Sequence, residues 1–172
     1  MCGMKGITLI GMPGAGKSTI GKQLAKKLDY YFLDLDVFIK EKEGRSHAEI
    51  AKAKGDAELL RLEEECALGL TLDKTVFSPG GSIVYSEPAM DKLQKETEIF
   101  YLELPFTEIQ RRLGRGAKNR GIIGLPGQGL AEKGLQGLYD ERSALYKKFA
   151  HHIINCHYIS DEEVVKQIHA IL

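Results

Sequence analysis

The stretch from Gly11 to Thr19, Gly-Met-Pro-Gly-Ala-Gly-Lys-Ser-Thr, constrains this chain more than any other. It has the form G-x-x-x-x-G-K-[ST], with a short apolar run before it and a helix-like run after it. Glycines in such a loop let backbone N–H groups approach a polyphosphate closely, and the N-terminus of the next helix adds a favourable potential. The sequence therefore predicts a phosphate-binding loop between a strand and a helix.

The residue types in this loop indicate separate tasks. We expect Lys17 to reach the β- and γ-phosphates of ATP, and Ser18 to offer its hydroxyl to Mg²⁺. The predicted nucleotide contacts are Gly14, Ala15, Gly16, Lys17, Ser18 and Thr19.

The composition argues against several classes of protein. Lysine plus arginine equal aspartate plus glutamate at 24 each, so no overall charge favours nucleic acid or an anionic membrane as partner. No apolar run approaches membrane-spanning length, no export signal is recognisable, and the three cysteines lack a paired spacing. We therefore predict a cytoplasmic, monomeric protein whose 172 residues form one domain, 1–172, that binds small molecules.

Strand-like and helix-like segments alternate along the chain, which predicts an α/β fold with a parallel sheet and helices on both faces. Residues 30–36 have a strand pattern that becomes acidic at its end, where ligands bind in such sheets. In an extended strand, Asp34 and Asp36 would point to the same side. One would orient Mg²⁺ or take a proton from an attacking hydroxyl, and the other would bind substrate hydroxyls. The alternative is that both cap the next helix.

Residues 37–72 contain more helix than one crossover needs, which predicts a small substrate-facing helical region. Within it, Ser46-His47-Ala48-Glu49 has the pattern of a capping box that opens a helix. Near the C-terminus, His151, His152, Cys156 and His157 could suggest a metal site. We reject this interpretation because adjacent strand residues face opposite ways and no second ligand cluster accompanies them.

Two glycine-rich segments complete the predicted site. Gly80 and Gly81 follow the third strand, where they permit close approach of the backbone to a ligand or form a plain turn. Residues 114–129 are rich in glycine and carry Arg120. This segment predicts a mobile lid over the phosphates, with an ordinary surface loop as the alternative.

Together these motifs resemble the shikimate kinase family, the small P-loop kinases that move the γ-phosphoryl group of ATP to a hydroxyl of shikimate. The resemblance covers nearly the whole chain and implies a three-layer P-loop kinase fold, with a five-stranded parallel sheet of order 2-3-1-4-5 and a lid. It rests on the loop Gly11–Gly21, Leu33–Asp36 followed by Gly44-Arg45-Ser46, Gly55-Asp56 with Glu63, Gly80-Gly81, Arg120, and Arg142-Ser143-Ala144-Leu145-Tyr146.

The resemblance also implies a role for each matching residue. Lys17, Asp34 and Arg120 match the catalytic set, in which Arg120 is the lid arginine that reaches the phosphates. Ser18 and Asp34 match the residues at the metal. The family's adenine-side arginine falls at Arg111 or Arg112, with Arg112 as the working assignment. The implied substrate contacts are Asp36, Gly80, Gly81 and Arg142.

The chain departs from the family in the part of the site that would bind the phosphate acceptor, called the acceptor half below. Leu60 stands where the family has a shikimate-binding arginine, and Arg61 comes one residue later, about 100° around the helix. Ser82 replaces a third glycine, and 121–124 replaces the usual Arg-Pro-Leu of the lid.

These features predict an ATP- and Mg²⁺-dependent kinase of a small hydroxylated metabolite, with shikimate as the first candidate acceptor. A gluconate-like or homoserine-like acceptor is one alternative. A nucleotide-dependent binding protein without kinase activity is another, although a guanine-specific switch would carry an Asn-Lys-x-Asp motif, which is absent from the sequence.

Overall fold

The centre of the fold is one parallel sheet of five strands, described in a computed structural model that covers residues 5–114 and 130–172, without the side chains of 130–133. The strands are β1 (Gly6–Ile10), β2 (Tyr31–Asp34), β3 (Thr75–Ser78), β4 (Thr97–Glu103) and β5 (His152–Asn155). Their order is β2-β3-β1-β4-β5, and every neighbouring pair is parallel. The predicted order 2-3-1-4-5 is confirmed.

The helices of the described chain are α1 (Lys17–Leu28), α2 (Leu35–Glu43), α3 (His47–Lys54), α4 (Asp56–Gly69), α5 (Glu87–Glu96), α6 (Phe106–Leu113), α7 (Leu130–Phe149) and α8 (Asp161–Ile171). A 3₁₀ turn, Ile83–Tyr85, precedes α5, and α7 is interrupted at Gly134, where φ is 65°. None of the described helices combines the length and the apolar character needed to cross a bilayer.

Helices cover both faces of the sheet. Every residue of β1 and of β3 is buried. Because successive side chains of a strand point to opposite faces, full burial requires packing on both sides. Helix α1 packs against α8 and against β1, β2 and β3, whereas α5 and α7 pack against β4. The predicted α/β layering is therefore confirmed.

The predicted helical region from 37 to 72 is confirmed as helical and consists mainly of α2, α3 and α4. The capping box at the start of α3 is also confirmed. The Ser46 hydroxyl accepts a hydrogen bond from the Glu49 N–H at 3.3 Å, and the Glu49 carboxylate accepts one from the Ser46 N–H at 2.7 Å. This reciprocal cap fixes where α3 begins, and His47 is its first residue.

The strand predicted over 30–36 is wrong at its C-terminal end. Strand β2 ends at Asp34, and Leu35 begins α2. The Asp34 carboxylate accepts hydrogen bonds from the N–H groups of Asp36 at 3.0 Å and Val37 at 3.4 Å, so it caps the helix. Asp36 lies in the first helical turn, where a negative charge is favourable. The capping alternative is therefore correct for Asp34, and the two carboxylates do not share one face of a strand.

Candidate active site

The phosphate-binding loop connects β1 to α1 in a conformation that requires glycine. Gly14 and Gly16 have φ of 82° and 97°, in the left-handed region that side chains disfavour. Gly16 is also the N-cap of α1, a fully described helix whose start has neither a capping side chain nor an acidic residue in its first turn. The first N–H groups of α1 and the positive end of its dipole can therefore receive an anion.

Lys17 lies at the base of this loop. Its ammonium donates hydrogen bonds to the carbonyls of Gly11 at 2.8 Å and Met12 at 3.1 Å. Burial lowers the pKa of Lys17 to about 8; the carboxylates of Asp36 and Asp34 oppose this shift, and Arg142 adds to it. The ammonium therefore stays charged at neutral pH, at the point where the loop would enclose a phosphate.

The two predicted metal ligands are in contact. The Ser18 hydroxyl donates a hydrogen bond to Asp34 Oδ2 at 2.5 Å. The other carboxylate oxygen, Asp34 Oδ1, caps α2, so the side chain is held from both sides. A hydroxyl and a carboxylate at this spacing form the hard oxygen donor set that Mg²⁺ prefers, and these two residues therefore fit a Mg²⁺ ion.

The register between β2 and β3 brings the acceptor half of the site together. Asp34 pairs with Ser78, so the residues that follow the two strands emerge side by side. A Cβ added at Gly80 would lie 3.1 Å from both Asp36 Oδ1 and Glu63 Oε1. Gly80 therefore leaves the space into which both carboxylates point.

The second glycine lies against a buried arginine. A Cβ at Gly81 would lie 3.0 Å from Nη1 of Arg142 and 3.1 Å from Oη of Tyr146. The Tyr146 hydroxyl donates to the Gly81 carbonyl at 2.7 Å, and Arg142 Nε donates to the Tyr85 hydroxyl at 3.4 Å. Arg142 is only 1% exposed. A guanidinium held in this way is suited to bind a carboxylate in a defined orientation.

A cleft of about 860 Å³ joins the loop to this acceptor half. All four predicted substrate contacts line it, namely Asp36, Gly80, Gly81 and Arg142. The predicted nucleotide and metal residues that line it are Gly14, Gly16, Lys17, Ser18, Thr19, Asp34 and Arg112. Ala15 is buried instead, and its N–H donates to the Met12 carbonyl within the loop at 3.0 Å.

The structure distinguishes Arg111 from Arg112, the two candidates for the adenine-side arginine. Both pair with Glu108, but Arg112 lines the cleft and donates to the Gly14 carbonyl at 3.3 Å, whereas the Arg111 side chain is 72% exposed. Arg61 points away from the cleft, since it pairs with Glu58 and Glu65 on the solvent-exposed face of α4. Arg120 and the lid segment 115–129 lie outside the described residues.

Sequence interpretation assigned no role in the site to three polar side chains that line the cleft: His47, Glu63 and Ser82. The Ser82 hydroxyl donates to Glu63 Oε2 at 2.6 Å. Burial raises the pKa of Glu63 to about 7; the Ser82 hydrogen bond and Arg142 oppose this, and the charge of Asp36 adds to it. An acidic residue among the apolar positions of α4 could have been noticed as a candidate. His47 gave no such signal, because the cap motif accounted for it.

Comparisons with known proteins agree on one family. A family model described as shikimate kinase matches residues 13–172. The shikimate kinase of Mycobacterium avium is 43% identical over 143 residues, which are 83% of this chain and 78% of that protein. Shikimate kinase 2 of Yersinia enterocolitica is 35% identical over 96% of this chain and 94% of its own length. A solved shikimate kinase from Acinetobacter baumannii in complex with shikimate superposes with a TM-score of 0.87 at 28% identity, over 98% of this chain and 92% of that one.

Proposed function

The chain belongs to the shikimate kinase family, and from that premise we propose that it transfers the γ-phosphoryl group of ATP to a hydroxyl of shikimate. As a member of this family it is a phosphotransferase that uses ATP and acts on an alcohol group. The proposal rests mainly on one observation: the phosphate-binding loop and the buried Arg142 line the same cleft. Shikimate has a carboxylate for that guanidinium and hydroxyls for the carboxylate of Asp36.

We propose that the nucleotide half acts by positioning and by neutralising charge, as phosphoryl transfer requires. Lys17 and the N–H groups at the start of α1 would hold the phosphates, and Arg112 would flank the loop. Ser18 and Asp34 would hold Mg²⁺, which when bound withdraws charge from the phosphates. Arg120 is proposed to reach the transferring group, on the family resemblance alone.

In the acceptor half, Asp36 is better suited than Asp34 to receive the acceptor hydroxyl. Both oxygens of Asp34 are already engaged, one by Ser18 and the other by the N-terminus of α2. The Asp36 side chain lines the cleft, and the partial loss of solvent between the cleft walls raises its pKa. A carboxylate with a raised pKa is a better proton acceptor for a hydroxyl that becomes a nucleophile.

A coupled assay of ADP release with Mg-ATP tests the function directly. Shikimate, gluconate, homoserine and several nucleoside monophosphates are compared at millimolar concentration. Saturable turnover with shikimate alone is the expected result. If shikimate released ADP no faster than the background ATPase rate while another acceptor gave saturable turnover, shikimate would be refuted as the substrate. The assignment as a kinase would then still stand.

The Arg142→Ala variant tests the acceptor site. Loss of a charge-assisted bidentate contact is expected to raise the acceptor KM by about tenfold to a hundredfold while the KM for ATP stays within about twofold. Arg61→Ala is the matched control, because it removes an arginine of α4 that pairs only with exposed glutamates. An unchanged acceptor KM in Arg142→Ala would contradict the assigned role.

We further propose that the enzyme works as a monomer in the cytoplasm. The thiols of Cys66 and Cys156 are free and buried, which supports a reducing compartment. Analytical ultracentrifugation at assay concentration checks the oligomeric state, and a dimer mass would refute the monomer.

A further inference from the structure

The imidazole of His47 lies between two carboxylates of the cleft. Its Nδ1 is 3.5 Å from Asp36 Oδ1, and its Nε2 is 3.7 Å from Glu63 Oε1. The two ring nitrogens therefore face different partners. Nε2 is buried and has no hydrogen-bond partner among the described residues, which is unusual for a group that serves folding alone.

Glu63 fixes one side of this arrangement. Its side chain is only 3% exposed, and it accepts the hydrogen bond from the Ser82 hydroxyl at 2.6 Å. Because Ser82 directly follows Gly80 and Gly81, Glu63 ties α4 to the loop after β3. The position of His47 is set from a second direction by the Ser46 capping box at the start of α3. The ring is therefore held between α4 and the capped start of α3.

Asp36, in contrast, needs an external support. Its side chain is 57% exposed, and an exposed carboxylate retains rotamer freedom that a single mobile counter-charge does not remove. The His47 side chain is only 12% exposed and cannot move in this way. A fixed ring next to Asp36 Oδ1 limits the orientations open to that carboxylate.

We propose that His47 is a positioning residue of the phosphotransfer site: it connects the buried Glu63 to Asp36 and so holds the Asp36 carboxylate in the orientation that receives the acceptor hydroxyl. This inference rests on the proposed function, in which Asp36 binds the acceptor. Through His47, helix α3 would influence acceptor binding. Acceptor binding thus depends on His47 through the carboxylate of Asp36.

A metal ion explains the group less well. Asp36, His47 and Glu63 are spaced so that their ligand atoms lie within 4.8 Å of one another. However, the His47 ring already lies against both carboxylates, and these direct contacts account for the spacing without a further component. A positioning role uses both contacts as they are.

Steady-state kinetics of three substitutions separate the two ring contacts. His47→Asn keeps a polar atom near the place of Nδ1, His47→Gln keeps one near the place of Nε2, and His47→Leu keeps neither. With Mg-ATP and shikimate, we expect kcat/KM for the acceptor to fall about tenfold to a hundredfold in His47→Leu and His47→Gln. His47→Asn keeps the contact with Asp36 and loses the one with Glu63, so it is expected to recover only part of this loss, and the KM for ATP is expected to stay unchanged in all three.

Lys52→Ala is the control for substitution within α3, since Lys52 is exposed in the last turn of that helix and does not line the cleft. It is expected to leave the acceptor kcat/KM within about twofold of wild type. An equal loss in Lys52→Ala, or an unchanged kcat/KM in His47→Leu, would overturn the positioning role. Absence of shikimate turnover in the wild type would instead refute the proposed function.

A crystal structure of His47→Leu tests the inference without any activity. We expect the Asp36 carboxylate to occupy a different rotamer or two rotamers, while Glu63 keeps its hydrogen bond to Ser82. An Asp36 side chain in its original, single orientation would overturn the proposal, whichever acceptor the enzyme uses.

Discussion

Single glycines shape this site in two different ways. Gly14 and Gly16 allow backbone angles that other residues disfavour, whereas Gly81 has an ordinary φ and is needed because its neighbours leave no room. A methyl group there would lie 3.0 Å from the Arg142 guanidinium and 3.1 Å from the Tyr146 hydroxyl. Neither neighbour can move freely, since both are buried.

The Gly81→Ala variant tests this crowding. Displacement of the Arg142 guanidinium by a few tenths of an ångström is expected to raise the acceptor KM about tenfold, with the KM for ATP within about twofold of wild type. Gly69→Ala is the matched control, because a Cβ at the end of α4 meets nothing within 4 Å. Steady-state kinetics with each substrate varied in turn provide the measurement, and equal KM values in the two variants would contradict the crowding argument.

Lys17 leads to a prediction about pH. Because the pKa of Lys17 is lowered to about 8, the ammonium is charged at pH 7 and loses its proton as the pH rises through 8. The phosphates of ATP need the charged form. Isothermal titration calorimetry between pH 7 and 9.5 is therefore expected to find a Kd for ATP that rises with pH above about 8.

The Lys17→Arg variant provides the control for this titration, since a guanidinium stays charged over the whole range. Its Kd for ATP, whatever its absolute value, is expected to be independent of pH between 7 and 9.5. A wild-type Kd that stays flat over the same range would argue against an ammonium with a lowered pKa in the loop.

At the scale of elements, single cap residues contribute measurably to the free energy of unfolding. The Ser160 hydroxyl accepts a hydrogen bond from the Glu163 N–H at 3.2 Å and begins α8, which packs against α1 behind the phosphate-binding loop. Ser160→Ala is expected to lower the free energy of unfolding by about 1 kcal/mol. Ser160→Thr keeps an acceptor oxygen and is expected to lose only a few tenths. Urea denaturation measures both, and equal losses would contradict a capping role.

The elements also mark the limit of what the sequence could predict. The strand–loop–helix arrangement around Gly11–Thr19 and the capping box at Ser46 depend on residues within a few positions of each other, and the structure confirms both. The end of β2 was missed because Asp34 satisfies two local patterns, a strand residue and a helix cap, and the cap prevailed. The contact between His47 and Glu63 depends on how α3 packs against α4, and no local pattern records that packing.

At the scale of the whole molecule, the carboxyl group of Glu63 belongs both to the core and to the candidate active site. Glu63 is 2% exposed, lies among the apolar residues of α4, and still borders the cleft. Its burial therefore couples the stability of the fold to the protonation of the acceptor half. The exposed ion pairs of α4 couple stability to protonation only weakly, because solvent screens them.

The Glu63→Gln variant tests this coupling through the pH dependence of stability. The folded pKa of about 7 lies above the ordinary glutamate pKa of 4.5, so between these values the folded state holds a proton that the unfolded state has released. The contribution of Glu63 to stability should thus fall as the pH rises from 4.5 to 7, and the loss should persist above 7. Urea denaturation is expected to find that the stability of Glu63→Gln relative to wild type increases across this window by on the order of 1–3 kcal/mol. The control is Glu43→Gln, at the exposed end of α2, whose plot of stability against pH is expected to run parallel to that of wild type. A plot for Glu63→Gln that is parallel to both would contradict the coupling, because the Glu63 carboxyl would then be ionised in the core already at pH 4.5.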